Sequence, residues 1–366
     1  MKPRARDFGL PFPGTPGRFN AITDVAGVGV GFTTLVADAP TQVRTGVTAI
    51  VPRLDEPALR PVWAGSFALN GNGEMTGTHW IRDAGQFCGP VCITNTHSVG
   101  VVHHAAVRWM IRRHRDTFTE RHLWAMPVVA ETYDGVLSDI NGQHVTEAHA
   151  LAALDAAAGG AVAEGNVGGG TGMICYEFKG GTGTASRRVT LPDRTGTIGV
   201  LVQANHGLRD WLTVLGVPAG RHLRDDCLFS QEQGSIIVVV ATDLPMLPHQ
   251  LTRLAKRAAL GIGRGGTPGG NNSGDIFLAF SVANPIDLPQ QGAPAWRLEA
   301  INDEHFDPIY LAVVQAIEEA VVNALVAAET TPAFRPAGVV ARAIDHAALA
   351  SLFTPSPSVP FRSPTP

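Results

Sequence analysis

With 366 residues, 45% of them hydrophobic and 16% charged, the chain holds enough apolar material for a large core and too little charge for a disordered segment of that length. A formal net charge of −4, with no Lys/Arg run longer than a pair such as Arg112-Arg113, leaves no electrostatic footprint for nucleic acid. The longest strongly apolar run, 236–241, falls far short of the ~20 residues that cross a bilayer, and Met1 leads into no apolar leader, so a cytoplasmic protein without a membrane partner is expected.

Along the chain, Gly27-Val28-Gly29-Val30-Gly31 brushes against a dinucleotide fingerprint, but Phe32-Thr33-Thr34 does not complete it. Apolar runs bounded by turn residues predict strands over 47–51, 128–130, 197–203, 236–242 and 276–281. Helical spacing predicts helices over 99–113, 145–157, 249–260 and 308–329, the last capped by Asp307 with Pro308 in its first turn. Buried strands alternating with amphipathic helices spell a layered α/β fold. The polar stretch 220–233 reads as a surface loop or as an insertion near the active site, and the Pro/Ser-rich stretch 353–366 as an unstructured tail beyond a domain of residues 1–352.

Several familiar chemistries are missing. No His-Glu-x-x-His, Gly-x-Ser-x-Gly or local Cys-His motif is present, and the adjacent His103 and His104 diverge by about 100° on a helix, too far to share a metal. Cys88, Cys92, Cys175 and Cys227 lack zinc spacing and read as reduced core thiols. Neither a metal nor a cofactor is implied. The turn Gly269-Gly270-Asn271-Asn272-Ser273-Gly274-Asp275 fails as a phosphate loop, since Asn271 stands where Lys is required. It reads either as ordinary turn chemistry or as a nucleophile entering a buried strand, where cleavage of the Asn272–Ser273 bond would leave one residue holding both hydroxyl and α-amine. Polar groups also gather at Glu131-Thr132-Tyr133-Asp134-Gly135, Gln203-Ala204-Asn205-His206-Gly207 and Asn302-Asp303-Glu304.

Together with the opening Leu10-Pro11-Phe12-Pro13-Gly14 through Gly27-Val28-Gly29-Val30-Gly31, with Ala241-Thr242-Asp243 and with Leu247-Pro248-His249-Gln250-Leu251, these segments resemble the L-aminopeptidase/D-esterase family, which includes the β-peptidyl aminopeptidases. The resemblance runs in order over nearly the whole chain apart from the tail. It implies a self-processing serine peptidase with a four-layer αββα sandwich like that of N-terminal nucleophile hydrolases, though differently connected, assembled as a homo-oligomer, commonly a tetramer. Cleavage before Ser273 would give chains of 1–272 and 273–366, with 273–352 as the core of the small one. Glu131 would hold the α-amino group of a small peptide, amide or ester, Tyr133 would line the site, and Asn205 would face the oxyanion. The family sets Ser and Glu two apart ahead of its last helix. This chain has Asn302 and Glu304 there, so Glu304 would orient the nucleophile's amine and Asn302 would donate hydrogen bonds without relaying a proton. Two other readings compete: an acyltransferase of the ornithine-acetyltransferase kind, and an unprocessed, inactive small-molecule binding protein.

Overall fold

The computed structural model describes residues 2–354. Two sheets stack face to face. In the first, β1 (Gly29–Ala37), β2 (Val43–Val51), β5 (Val91–Asn95) and β6 (Val128–Thr132) run in the order β1-β2-β5-β6, with β5 and β6 parallel. In the second, β3 (Val62–Gly71), the short β4 (Gln86–Phe87), β9 (Gly181–Thr190), β10 (Thr195–Asn205), β11 (Ser235–Thr242) and β12 (Gly274–Ser281) run in the order β4-β3-β12-β11-β10-β9. Strands β11 and β12 form its one parallel pair. A small hairpin, β7 (Ile174–Cys175) with β8 (Phe178–Lys179), stands apart.

Helices cover both outer faces. Helices α2 (Val99–Arg113) and α4 (Glu147–Asp155) pack on the four-stranded sheet, burying Val102, Ala106, Met110 and Leu154 against Val47 and Val129. Helices α6 (Pro248–Arg264) and α7 (Asp307–Val326) pack on the six-stranded sheet. The shorter α1 (Thr78–Ala84), α3 (Arg115–Glu120), α5 (Ala219–His222) and α8 (His346–Ser351) fill the connections. Strand β11 shows why the layers hold: Ile236, Val238 and Val240 point to the helices, and Ile237, Val239 and Ala241 to the core between the sheets. A strand buried on both faces must be apolar throughout.

All five expected strands and four expected helices are present, with α2 spanning 99–113 as expected. Several details differ. Phe306, not Asp307, occupies the N-cap of α7, because Asp307 already has helical geometry in the first turn. By length and composition α7 would cross a bilayer, but it is buried in the core of the sandwich. Cys92 and Cys175 are buried, whereas Cys227 is exposed on the connection before β11. The 220–233 stretch is largely exposed as the surface-loop reading expects, apart from Gly220 in α5 and Glu232. At the end of the chain, Phe353 still packs on the core, and the rest of the expected tail, 355–366, lies outside the described residues.

Candidate active site

Strand register brings polar residues together at one end of the six-stranded sheet. Asn205, the last residue of β10, pairs with Ser235, the first of β11; Ser235 pairs with Gly274, the first of β12; and Gly274 pairs with Gly71, the last of β3. Cross-strand partners in an antiparallel pair hold their β-carbons about 5 Å apart. Asn205 therefore lies directly across from Ser235 and about two strand spacings, roughly 10 Å, from Gly274 and its neighbour Ser273.

The two serines differ in what surrounds them. Ser273 is completely buried; its amide donates to the Gly270 carbonyl (2.9 Å) and its hydroxyl to Asp275 Oδ1 (2.5 Å). Burial pushes the Asp275 carboxyl up, and the Ser273 hydroxyl, the Ile236 amide and Asn70 pull it partly back. The Ser273–Asp275 pair thus abuts the backbone one residue after Ser235. Ser235 Oγ accepts the Gly274 amide (3.0 Å), and its hydroxyl proton remains available for transfer. Just before it, Gly234 presses on the Asn205 carbonyl so closely that a β-carbon would lie 1.7 Å from that oxygen, so only glycine fits there.

The end of β6 closes over this row. Gln203 Nε2 donates to Thr132 Oγ1 (2.6 Å) and Asn205 Nδ2 to the Tyr133 carbonyl (3.1 Å), while Asn205 Oδ1 accepts the Ile174 amide (2.8 Å). That fixes the Asn205 amide and leaves its second Nδ2 proton free for an oxyanion. A cavity of about 30 Å³, room for one water, lies among Tyr133, Ile174, Asn205 and Gly234. Tyr133 keeps its ring half exposed at the rim.

Glu131, 4% exposed, accepts the Glu74 amide (2.9 Å) on one oxygen and the Thr96 hydroxyl on the other. Burial pushes its carboxyl up, and no Lys or Arg pairs with it among the described residues. A buried carboxylate without a cation is a receptor for one. Beside Glu74 opens a cleft of about 1010 Å³, lined by Phe67, Gly73, Met75, Lys256 and Ile276. The neighbouring Cys175 and His206 lie 3.7 Å apart but offer no thiolate, since burial pushes the thiol up to about 12 and the imidazole down to about 3.

The structure does not bring Asn302 and Glu304 to this cluster. They sit exposed on a single 3-10 turn ahead of α7, where Asn302 Oδ1 accepts the Glu304 amide (3.2 Å). Ile301 donates to the Pro245 carbonyl, just past the far end of β11, so the pair lies about 25 Å from Ser235, the length of that eight-residue strand. Proximity to a helix start says nothing about which end of a sheet that start occupies. The Ser-x-acid spacing expected there is met instead by Ser273 and Asp275. Sequence reasoning passed over Ser235, Asn70, Asn72, whose amide donates to the Asn272 carbonyl (2.7 Å), and Glu232. Gly234-Ser235 ahead of the 236–241 apolar run carried the same signal as Asn272-Ser273.

Residues 20–337 match the model of peptidase family S58. The chain is 50% identical to the β-peptidyl aminopeptidase BapA of Sphingosinicella microcystinivorans, over 96% of this chain and 91% of that protein. Among solved structures, it resembles the L-aminopeptidase D-Ala-esterase/amidase of Ochrobactrum anthropi, described as a prototype of the serine aminopeptidases and a new variant of the Ntn hydrolase fold. Identity is 59%, the TM-score is 0.93, and 96% of this chain and 98% of that one are covered. A Burkholderia sp. β-aminopeptidase matches with 48% identity and a TM-score of 0.88, again over 96% and 98%.

Proposed function

The chain belongs to peptidase family S58 and is a self-processing serine aminopeptidase with a variant Ntn hydrolase fold, and from its geometry we propose that Ser235, rather than Ser273, is the nucleophile. The carrying observation is the row Asn205, Ser235, Gly274, with the Ser273–Asp275 pair against the Ile236 amide. Ser273 keeps a role as the hydroxyl of a relay.

In maturation, Ser235 Oγ attacks the Gly234 carbonyl, the C–N bond breaks as the acyl group moves to oxygen, and water hydrolyses the ester. The products are a large chain of residues 1–234 and a small chain beginning with the free amine of Ser235. An α-amine titrates near pH 8, which suits a base working near neutrality. In turnover it takes the Ser235 hydroxyl proton as Oγ attacks the carbonyl of the substrate's first residue, it delivers that proton to the departing amine, and water then hydrolyses the acyl ester and restores the hydroxyl. The Ser273–Asp275 pair holds the amine, the Asn205 Nδ2 proton meets the oxyanion, and Glu131 binds the substrate's ammonium. Tyr133 lines the rim. Substrates are small peptides, amides or esters with a free amino terminus, a range supported by the relatives' names and by the cleft beside Glu74, whose amide Glu131 accepts. A cytoplasmic homotetramer remains our reading of assembly and location, checked by light scattering and cell fractionation.

Intact mass under denaturing conditions tests the assignment. Cleavage before Ser235 leaves 366 − 234 = 132 residues in the small chain, hence fragments of roughly 25 and 14 kDa scaled from 38.5 kDa. Cleavage before Ser273 leaves 94 residues and roughly 28 and 10 kDa. The first pair in wild type, absent in Ser235→Ala, is expected; the second pair returns the nucleophile to Ser273, and an uncut wild-type chain overturns both.

A further inference from the structure

Between the exposed part of the 223–234 connection and Ser235 lies a buried carboxylate that the mechanism above does not use. Glu232 is 7% exposed, although its neighbours Gln231 and Gln233 face solvent. Its Oε1 accepts the Gly207 amide at 2.6 Å, just past Asn205 on β10. Its Oε2 lies against the Gly270 backbone, where a β-carbon would come within 1.8 Å of it. The Gly270 carbonyl in turn accepts the Ser273 amide (2.9 Å).

One side chain therefore joins three pieces of backbone: the end of the oxyanion strand, the segment to be cut, and the loop that presents the relay pair. Upstream, the Leu228 and Phe229 amides are tied to Glu177, and downstream Ser235 enters β11. Glu232 is the anchor between them, three residues before Ser235. A three-residue leash spans about 10 Å at most, so fixing Glu232 restricts where the Gly234 carbonyl can lie relative to Ser235 Oγ.

We propose that Glu232 is a positioning residue for self-cleavage, holding the Gly234–Ser235 bond against Asn205 while the chain is still intact. The proposal rests on Ser235 being the nucleophile. Once the bond is cut, the Ser235 amine and hydroxyl are held by β11 and the relay pair, so Glu232 matters less to turnover. A misplaced reacting atom costs on the order of 100-fold in rate.

The test follows the full-length chain by intact mass after rapid purification of wild type, Glu232→Ala, Glu232→Gln and Ser235→Ala, with turnover of a chromogenic amino-acid amide measured on the cut fraction of each. Glu232→Ala is expected to cleave about 10- to 100-fold more slowly, Glu232→Gln at an intermediate rate because its carbonyl still accepts from Gly207, and kcat to fall far less than the cleavage rate. Cleavage of Glu232→Ala at the wild-type rate, beside an uncut Ser235→Ala, overturns this proposal and leaves the nucleophile standing. An equal fall in cleavage and kcat also overturns it, since a loosened fold would lower both. Wild-type fragments of the Ser273 sizes would instead remove the reading on which it rests.

Discussion

The two ends of the six-stranded sheet carry similar residue types and opposite chemistry. At one end Asp275, Glu131 and Glu232 are buried, all three pushed up by that burial and paired with no Lys or Arg among the described residues. At the other, Asp303 is exposed, held below its ordinary range by Gln250 and Arg253, the latter an ion pair of 2.7 Å. An exposed, satisfied carboxylate has nothing left to bind. A buried one gains by meeting an ammonium, such as that of a substrate or of a newly freed Ser235.

Replacing Asn205 should produce the largest effect after loss of the proposed nucleophile, because it removes the side-chain donor proposed to meet the oxyanion opposite Ser235. Asn205→Ala is expected to lower kcat by about 100- to 1000-fold, as removal of such donors does elsewhere. It should slow self-cleavage as well, since in the proposed mechanism both reactions pass through a tetrahedral intermediate at Ser235 Oγ. Single-turnover rates and the time course of intact mass check the two separately. An unchanged kcat and cleavage rate would return Asn205 to a structural role.

Next comes Glu131. Glu131→Gln keeps the acceptor for the Glu74 amide but loses the charge, and should raise KM for a free-amine substrate by at least tenfold, the effect of losing one partner of a buried ion pair. Kinetics against pH sharpen the point: with its pKa raised by burial, Glu131 is protonated sooner on acidification than an exposed Glu, so affinity for an ammonium falls as pH drops through that raised value. The variant should lose this acid limb. A wild-type-like KM with the limb retained would place the amine elsewhere.

A smaller effect, on stability, is expected behind Tyr133. Burial pushes Asp134 up to about 7, against partial pull-back from Thr45 and Asn95. The folded chain therefore holds a proton that the unfolded chain releases near pH 4, so the favourable contribution is full below about pH 4 and is lost as pH rises to 7. Asp134→Asn, neutral throughout, should raise Tm at pH 8 and flatten the pH dependence between 5 and 8, readable by calorimetry at roughly those values.

Much of the architecture was legible in the sequence because buried strands and amphipathic helices write different periods, as 236–242 and 249–260 do. Of the longer strands it missed, β1, β3 and β9 are rich in Gly, Thr and Ser and acquire their burial from the sheets they join, while β5 is a five-residue buried run too short to declare its period. Glu131, Tyr133 and Asn205 were singled out because each stands at the end of a recognisable strand. The proposed nucleophile was harder to read. Gly234-Ser235 and Asn272-Ser273 both open an apolar strand, and only the parallel pairing of β11 with β12 puts both at one end with Asn205 beside the first. Long-range register of this kind leaves no local trace, and it is also what sends Asn302 and Glu304 to the far end.

That far end supplies the smallest expected effect. Asn302→Ala removes the acceptor for the Glu304 amide, a cap that costs about 1 kcal/mol at a helix start and less on one exposed 3-10 turn. Glu304→Ala removes an exposed side chain and should stay within about 0.5 kcal/mol. Neither should alter kcat, KM or self-cleavage, because about 25 Å of β11 separates them from Ser235. Fragment masses and steady-state kinetics of both variants check this. A loss of activity in Glu304→Ala with an unchanged Tm would mean that this acid reaches an active centre by a route the single chain does not provide, such as a neighbouring copy in the assembled oligomer.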